Sequence, residues 1–240
     1  MATLLSTIRT KARNTLLETS ASFWSEAELL EHMVDGIKDL WKAVVDLNGS
    51  HFRTIDITSM SIAASGTTVT GVPADLFRVQ IIEPRDTTSA SDGRYVQFVP
   101  RKYNSAEFQW ARSQSSVSPT SGGIIYYDIS QPGAPLAAPT IHIAPSLSSA
   151  LTLRVAYIPT LADTAFNDPS TDYNPIPGES DNALYAWIVA FARAKERDDR
   201  SPDPNWLAVY STEKQAVLTV LDPRQEQEPK YVEGMFEGWG

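Results

Sequence analysis

Five oxygen-bearing side chains, Asp168, Ser170, Asp172, Asn174 and Glu179, fall at positions 1, 3, 5, 7 and 12 of a calcium-loop register. Oxygen ligands at that spacing can wrap one hard cation, so the chemistry to weigh is calcium binding. The register is flawed, because Tyr173 stands where the loop needs its turn glycine and prolines occupy positions 169, 175 and 177. These residues are better read as an ordinary polar loop. His32 and Asp35, three apart, have the spacing of a metal or acid–base pair, but with no further ligand they read as an exposed polar helix face. The other histidines, His51 and His142, complete no His-x-x-x-His pair, so no histidine metal site is expected.

Other catalytic signatures are missing too. The sequence has no Gly-x-Ser-x-Gly elbow, no P-loop and no strand-linked Gly-x-Gly-x-x-Gly, which removes the usual marks of acyl transfer, nucleotide hydrolysis and dinucleotide redox chemistry. Gly234, Gly238 and Gly240 precede no helix and so offer no helix-terminus phosphate cradle. The absence of cysteine rules out disulfides, thiol catalysis and cysteine-ligated metal, and fits a reducing cytoplasm. Carboxylates from distant segments can still converge into a hydrolase site, which stays as a minor alternative. The expectation is no enzyme, no metal and no cofactor.

The elements that would position any site change character along the chain. Leu5, Ile8, Ala12 and Leu16 recur at helical spacing over residues 3–18, with Arg9 and Arg13 on another face, read as solvated or as meeting an acidic partner. Ser25 and Glu28 form a capping box that opens a long helix. Its apolar stripe is Leu29, Met33, Ile37, Leu40, Val44 and Leu47, widened by Leu30, Val34, Trp41 and Val45, and Asn48-Gly49 supplies the stop.

From about 51 to 159 the period becomes alternating, with strands read at 54–58, 77–82, 94–99, 124–129, 140–143 and 151–157. Loops at 86–93 and 113–123 are rich in turn formers, and the proline-rich run 131–139 reads as a stiff connection rather than a ligand for an SH3-like module. Helical period returns after Pro177 with Leu184, Trp187, Ile188 and Phe191. After a break, Asp203 caps and Pro204 starts a last helix carrying Leu207, Tyr210, Val217, Leu218 and Leu221, which Asp222-Pro223 ends.

The predicted fold is therefore α+β: a bundle of N- and C-terminal helices with a large antiparallel β-rich insertion, sandwich or barrel-like. The expected segments are N-terminal helices over 1–50, the β-rich insertion over 51–160, a linker and C-terminal helices over 161–222, and an extended tail over 223–240. No apolar stretch reaches the roughly 20 residues that cross a bilayer, and no signal segment is read at the start, so neither membrane anchoring nor export is expected.

The net charge of −9 divides as −2 over 1–50, +1 over 51–160 and −8 over 161–240. Gripping DNA needs clustered cations, so this balance favours repelling a duplex over binding it. The tail has no sustained period, yet carries Tyr231, Val232, Met235, Phe236 and Trp239 among glutamates. These five are the candidate partner-docking residues, suited to a groove on another subunit.

Several stretches together resemble the head-to-tail adaptor, or connector, proteins of tailed bacteriophages. They are Trp24-Ser25-Glu26-Ala27-Glu28-Leu29-Leu30, then Val72-Pro73-Ala74-Asp75-Leu76 with Arg78-Val79, then Ile143-Ala144-Pro145 before the strand at 151–157. Ile176-Pro177 leading to Asp181-Asn182-Ala183-Leu184, with the break at 202–204 and a final helix, completes the succession over about 3–222. The resemblance implies a homo-oligomeric ring, commonly a dodecamer, assembled in the host cytoplasm and placed at the head–tail junction of the virion. It further implies docking on the portal protein, attachment of a downstream tail or nozzle protein, genomic DNA passing through the lumen without specific binding, and no cofactor. The tail aligns with no motif of that family. Competing readings are another virion part, such as a head-closure or tail-tube subunit, and a β-domain module that binds the host surface through Ser/Thr-rich loops and Trp110.

Overall fold

A computed structural model describes residues 3–18, 23–47, 51–56, 59–85, 95–130, 138–161, 166, 168–176, 180–197 and 201–222. The chain divides into two compact units, Met1–His51 with Asp163–Gly240, and Phe52–Ala162. The fold is α+β, with the helices of the first unit and the sheets of the second. The first unit holds α1 (Leu5–Thr15), α2 (Glu26–Leu47), α4 (Asp181–Glu196) and α5 (Pro204–Leu221), while the short α3 (Ala106–Arg112) belongs to the second. Asn48-Gly49, Pro177, the loop at 86–93 and positions 131–137 of the proline-rich run lie outside the described residues.

Helix α2 begins as its capping box dictates. The Glu28 amide donates to Ser25 Oγ at 3.2 Å, and the Ser25 amide and hydroxyl donate to Glu28 Oε2 at 2.8 and 2.9 Å. Lys195 of α4 donates to the same carboxylate at 2.8 and 3.0 Å. That lysine, then the Ser25 donors, lower the Glu28 carboxyl to about 2 from 4.5. A carboxyl held low in the folded state stabilises above its ordinary value and loses that contribution as pH falls through the folded value. Glu28→Gln is therefore expected to flatten the loss of stability between about pH 4.5 and about 2, read by urea unfolding across that window. Ser25→Ala is expected to cost about 1 kcal/mol at neutral pH.

Leu29, Met33, Ile37, Leu40 and Val44 are buried along α2, and Leu184, Ile188 and Val189 along α4. Each such side chain contributes roughly 1.5–3 kcal/mol by leaving water, so the stripe outweighs any local propensity. Where α2 meets α4, side chains of α4 press on Gly36, where a Cβ would lie 2.8 Å from both Leu184 Cδ1 and Trp187 Cδ1. A larger residue there would require the Leu184 and Trp187 side chains to shift.

The second unit contains two sheets. In the larger, β8 (Leu151–Pro159) pairs with β1 (Thr54–Asp56), β2 (Ser61–Ile62) and β4 (Leu76–Pro84), and β3 (Val69–Thr70) pairs with β2. In the smaller, β6 (Ile124–Ser130) lies between β5 (Gln97–Pro100) and β7 (Thr140–Ala144). One core joins the two sheets: Met60, Ile62, Leu76 and Val155 from the larger pack in the same cluster as Ile125, Ile141 and Ile143 from the smaller. Two register shifts in β4 interrupt its alternation, which leaves Leu76 and Ile82 buried but Phe77 and Ile81 exposed.

Among the described strands pairing is antiparallel except for β5 beside β6, which run parallel. Parallel neighbours need a crossover, and here α3 lies in it. Ser105 caps α3 by accepting from the Phe108 amide at 3.2 Å, and Phe108 and Ala111 pack on Ala144. Trp110 therefore sits on a helix rather than in a loop, and is 63% exposed.

Candidate assembly surface

Asp203 starts α5 by accepting from the Asn205 amide at 2.9 Å, as its place before Pro204 predicts. Its carboxylate is buried and is satisfied by Arg197, with Arg193 at 3.8 Å. From that fixed start the inner face of α5 turns Tyr210 and Val217 into the helical unit. The Tyr210 hydroxyl donates to Asp39 of α2, to which Lys214 also donates at 2.5 Å. Burial, reinforced by the Asp39 carboxylate, pushes the Tyr210 hydroxyl above its ordinary value, so it stays a donor at any working pH.

The outer face of α5 is different. Of its 18 residues only Tyr210 and Val217 are buried, whereas the 16-residue α4 buries eight. A second stripe of Val209, Ala216 and Val220, at spacings of seven and four, faces outward, with Val209 43% and Val220 62% exposed. An apolar helix with two stripes, one of them left unpacked among the described residues, presents an exposed apolar face.

The residues weighed for chemistry do not converge. Among the described residues no group of three or more acidic or histidine side chains is placed to hold a metal ion. Asp168 Oδ1 accepts from the Ser170 amide at 3.0 Å and from its hydroxyl at 2.5 Å, and Asp172 Oδ2 accepts from the Asp168 amide at 2.8 Å. Asn174 turns inward and donates to Ser180 at 2.9 Å and Asp181 at 2.8 Å, while Glu179 lies outside the described residues. The loop's observed work is structural. Its Asp172 and Pro169 carbonyls accept from the Leu5 and Ser6 amides at 3.0 and 2.8 Å, satisfying donors that the start of α1 would otherwise leave open.

His32 is half-buried against Phe191, with ring centroids 5.8 Å apart, rather than part of an exposed face. Desolvation there, opposed by Glu31, Asp35 and Glu28, lowers its pKa. Arg13 is also no solvated residue: it is buried and pairs with Glu18 at 3.3 Å and Glu26 at 3.0 Å, while Arg9 pairs with Glu26 at 2.6 Å. The acidic partner of this face is thus intramolecular. Tyr231, Val232, Met235, Phe236 and Trp239 lie outside the described residues. No described helix is long and apolar enough to cross a membrane.

A family model described as SU10 adaptor protein matches residues 2–231. No curated protein matches the chain. The match covers both units, nearly the whole chain, and agrees with the resemblance carried by the helix-opening and strand-entry residues. The chain belongs to the SU10 adaptor protein family and is, in class, a phage adaptor, a structural protein.

Proposed function

We propose that the chain is the repeating subunit of a head-to-tail adaptor ring that docks on the portal protein, prolongs the DNA channel and presents the attachment surface for a downstream tail or nozzle protein. The helices of 1–50 and 161–222 build the ring, commonly of twelve copies, and the β-rich segment 51–160 decorates it. The observation that carries this reading is the exposed apolar stripe of α5, Val209, Ala216 and Val220, on a chain of adaptor class. Such a stripe on one copy meets a different surface on the next, and a contact of that kind closes into a ring by rotation. Genomic DNA would pass without specific binding, since the excess of negative charge lies in residues 161–240. The proposed role is non-enzymatic and needs no cofactor, and the proposed place is the head–tail junction of the virion, after assembly in the host cytoplasm.

Electron microscopy of the protein alone and mixed with portal tests this. A closed ring in either sample is expected, and its absence from both would overturn the reading. Val209→Glu with Val220→Glu is expected to lower the ring fraction about tenfold at fixed concentration, because each charge must leave water at the interface. Normal ring yield from the double variant would place the interface elsewhere.

The tail residues Tyr231, Val232, Met235, Phe236 and Trp239 are proposed to anchor on a neighbouring subunit. Removal of residues 229–240 is expected to leave the circular dichroism and urea midpoint unchanged while weakening association. Native mass spectrometry reads the change, and unaltered assembly would remove the tail from the mechanism.

A further inference from the structure

On the second unit a cavity of about 300 Å³ lies beside β4 and the ends of β5 and β6. Val79, Tyr127 and Ile129 supply its apolar lining, and Arg101 and Lys102 are its cations. Both cations are exposed, and among the described residues neither makes an ion pair. Arg101 donates to the Pro100 carbonyl at 3.1 Å and lies 6.0 Å from the centroid of the Tyr126 ring. The one acid in the lining, Asp128, is turned to backbone donors: Oδ2 accepts from the Tyr103 amide at 2.7 Å and Oδ1 from the Ile129 amide at 2.9 Å. The result is a small open hollow, part apolar and part polar, with a cationic edge, at the low end of ligand-pocket sizes and able to take one aromatic side chain flanked by carboxylates.

The chain carries a segment of that chemistry. Residues 223–240 hold Glu226, Glu228, Glu233 and Glu237 against Arg224 and Lys230, with Tyr231, Phe236 and Trp239 interleaved. Fully extended, 18 residues reach up to about 60 Å. Phe236 is followed directly by a glutamate, and Tyr231 precedes one by two positions. Aromatic anchors beside acids can combine burial of a ring with ion pairing to an Arg and Lys edge, where neither feature alone would select this hollow.

We propose that this cavity receives the acidic, aromatic tail of a second copy of the chain, one aromatic ring entering the hollow and Glu233 and Glu237 meeting Arg101 and Lys102. The inference rests on the ring reading above, and it names the surface the tail grips. Tail and cavity are different surfaces, so each copy gives one and receives one, the arrangement a closed ring uses at every joint. The contact links neighbours independently of α5.

The test uses full-length protein, isotopically light and heavy chains mixed in equal amounts, with a benzophenone side chain at position 236, alone and with portal. Light–heavy crosslinks from 236 to residues 97–102 or 127–129 are expected. Arg101→Glu with Lys102→Glu should cut their yield at least fivefold, and Glu233→Lys with Glu237→Lys should restore it. Crosslinks confined to light–light and heavy–heavy pairs, to the helical unit or to portal would overturn the proposal, as would a yield indifferent to charge reversal. Rings lacking these crosslinks would sink this inference and leave the adaptor reading intact. If no ring forms in any sample, the adaptor reading fails, and a light–heavy crosslink at the cavity still decides whether a second copy supplies the tail.

Discussion

Gly71→Ala is expected to destabilise the chain by about 3 kcal/mol or more, with the loss centred on the β2–β3 hairpin. Two penalties act together. The φ of Gly71 is 73°, a left-handed conformation that costs an L-residue about 1–2 kcal/mol. In addition, an alanine Cβ would stand 2.0 Å from the Ser59 carbonyl oxygen and 2.8 Å from its carbon. Those are backbone atoms, so no rotamer change relieves the overlap. The Ser59 segment is itself pinned, because its amide donates to Asp56 at 2.9 Å and its hydroxyl to the Gly71 carbonyl at 3.3 Å. Moving it would disturb Met60 and Ile62, both fully buried in the core shared by the two sheets. Urea unfolding measures the loss, and hydrogen exchange places it. A variant with an unchanged midpoint and full protection of the β2 and β3 amides would show that this crossing is not required.

What the sequence made legible was mostly local. The Ser25–Glu28 box, the Asp203-Pro204 start and the stripes of α2 and α4 are readable because every partner lies within a turn or two, and period 3.6 records which face is buried. Long alternating runs such as 151–157 are readable for the same reason, whereas the two-residue strands β2 and β3 carry no period at all. The seven-residue α3 falls between the strand read at 94–99 and the loop read at 113–123; Ser105 and Glu107 are its only local signals, too short a pattern to stand against its surroundings. With α3 unseen, the parallel β5–β6 pair was out of reach, since only a crossover permits it.

Distance in sequence explains the other differences. Nothing near Leu5 announces that its amide is satisfied by Asp172, so the acidic loop invites a metal register when its carbonyls actually complete the start of α1. The outer face of α5 shows the opposite case. The apolar residues of α5 are all visible in the sequence, but Leu207, Tyr210, Val217, Leu218 and Leu221 alone suffice to predict the helix. Which stripe stays unpacked depends on where α4 and α2 lie, and local period cannot supply that.

Arg13→Met is expected to cost about 3–5 kcal/mol, although a charged residue on α1 looks dispensable from its spacing alone. Its side chain is 8% exposed and Glu18's is 9%, so the pair sits largely out of water at 3.3 Å. The same guanidinium donates to the Trp24 carbonyl at 3.0 Å and meets Glu26 at 3.0 Å, tying α1 to the first residues of α2. Glu18 in turn accepts from the Phe23 and Trp24 amides, the latter at 3.1 Å, and Trp24 donates through its indole to the Ala192 carbonyl of α4 at 2.8 Å. One cation therefore holds the junction of three helices. Methionine would fill much of the volume but take the guanidinium away from the buried Glu18 carboxylate, which keeps its two amide donors, and the penalty comes from weaker compensation of that charge more than from lost packing. Glu18→Gln in the Arg13→Met background should recover part of the loss, because it removes the charge and keeps an oxygen for the two amides. If the double variant falls further, by the sum of the single effects, the arginine acts through its own packing and hydrogen bond to Trp24 instead. Urea unfolding of the four proteins in the cycle separates the two outcomes.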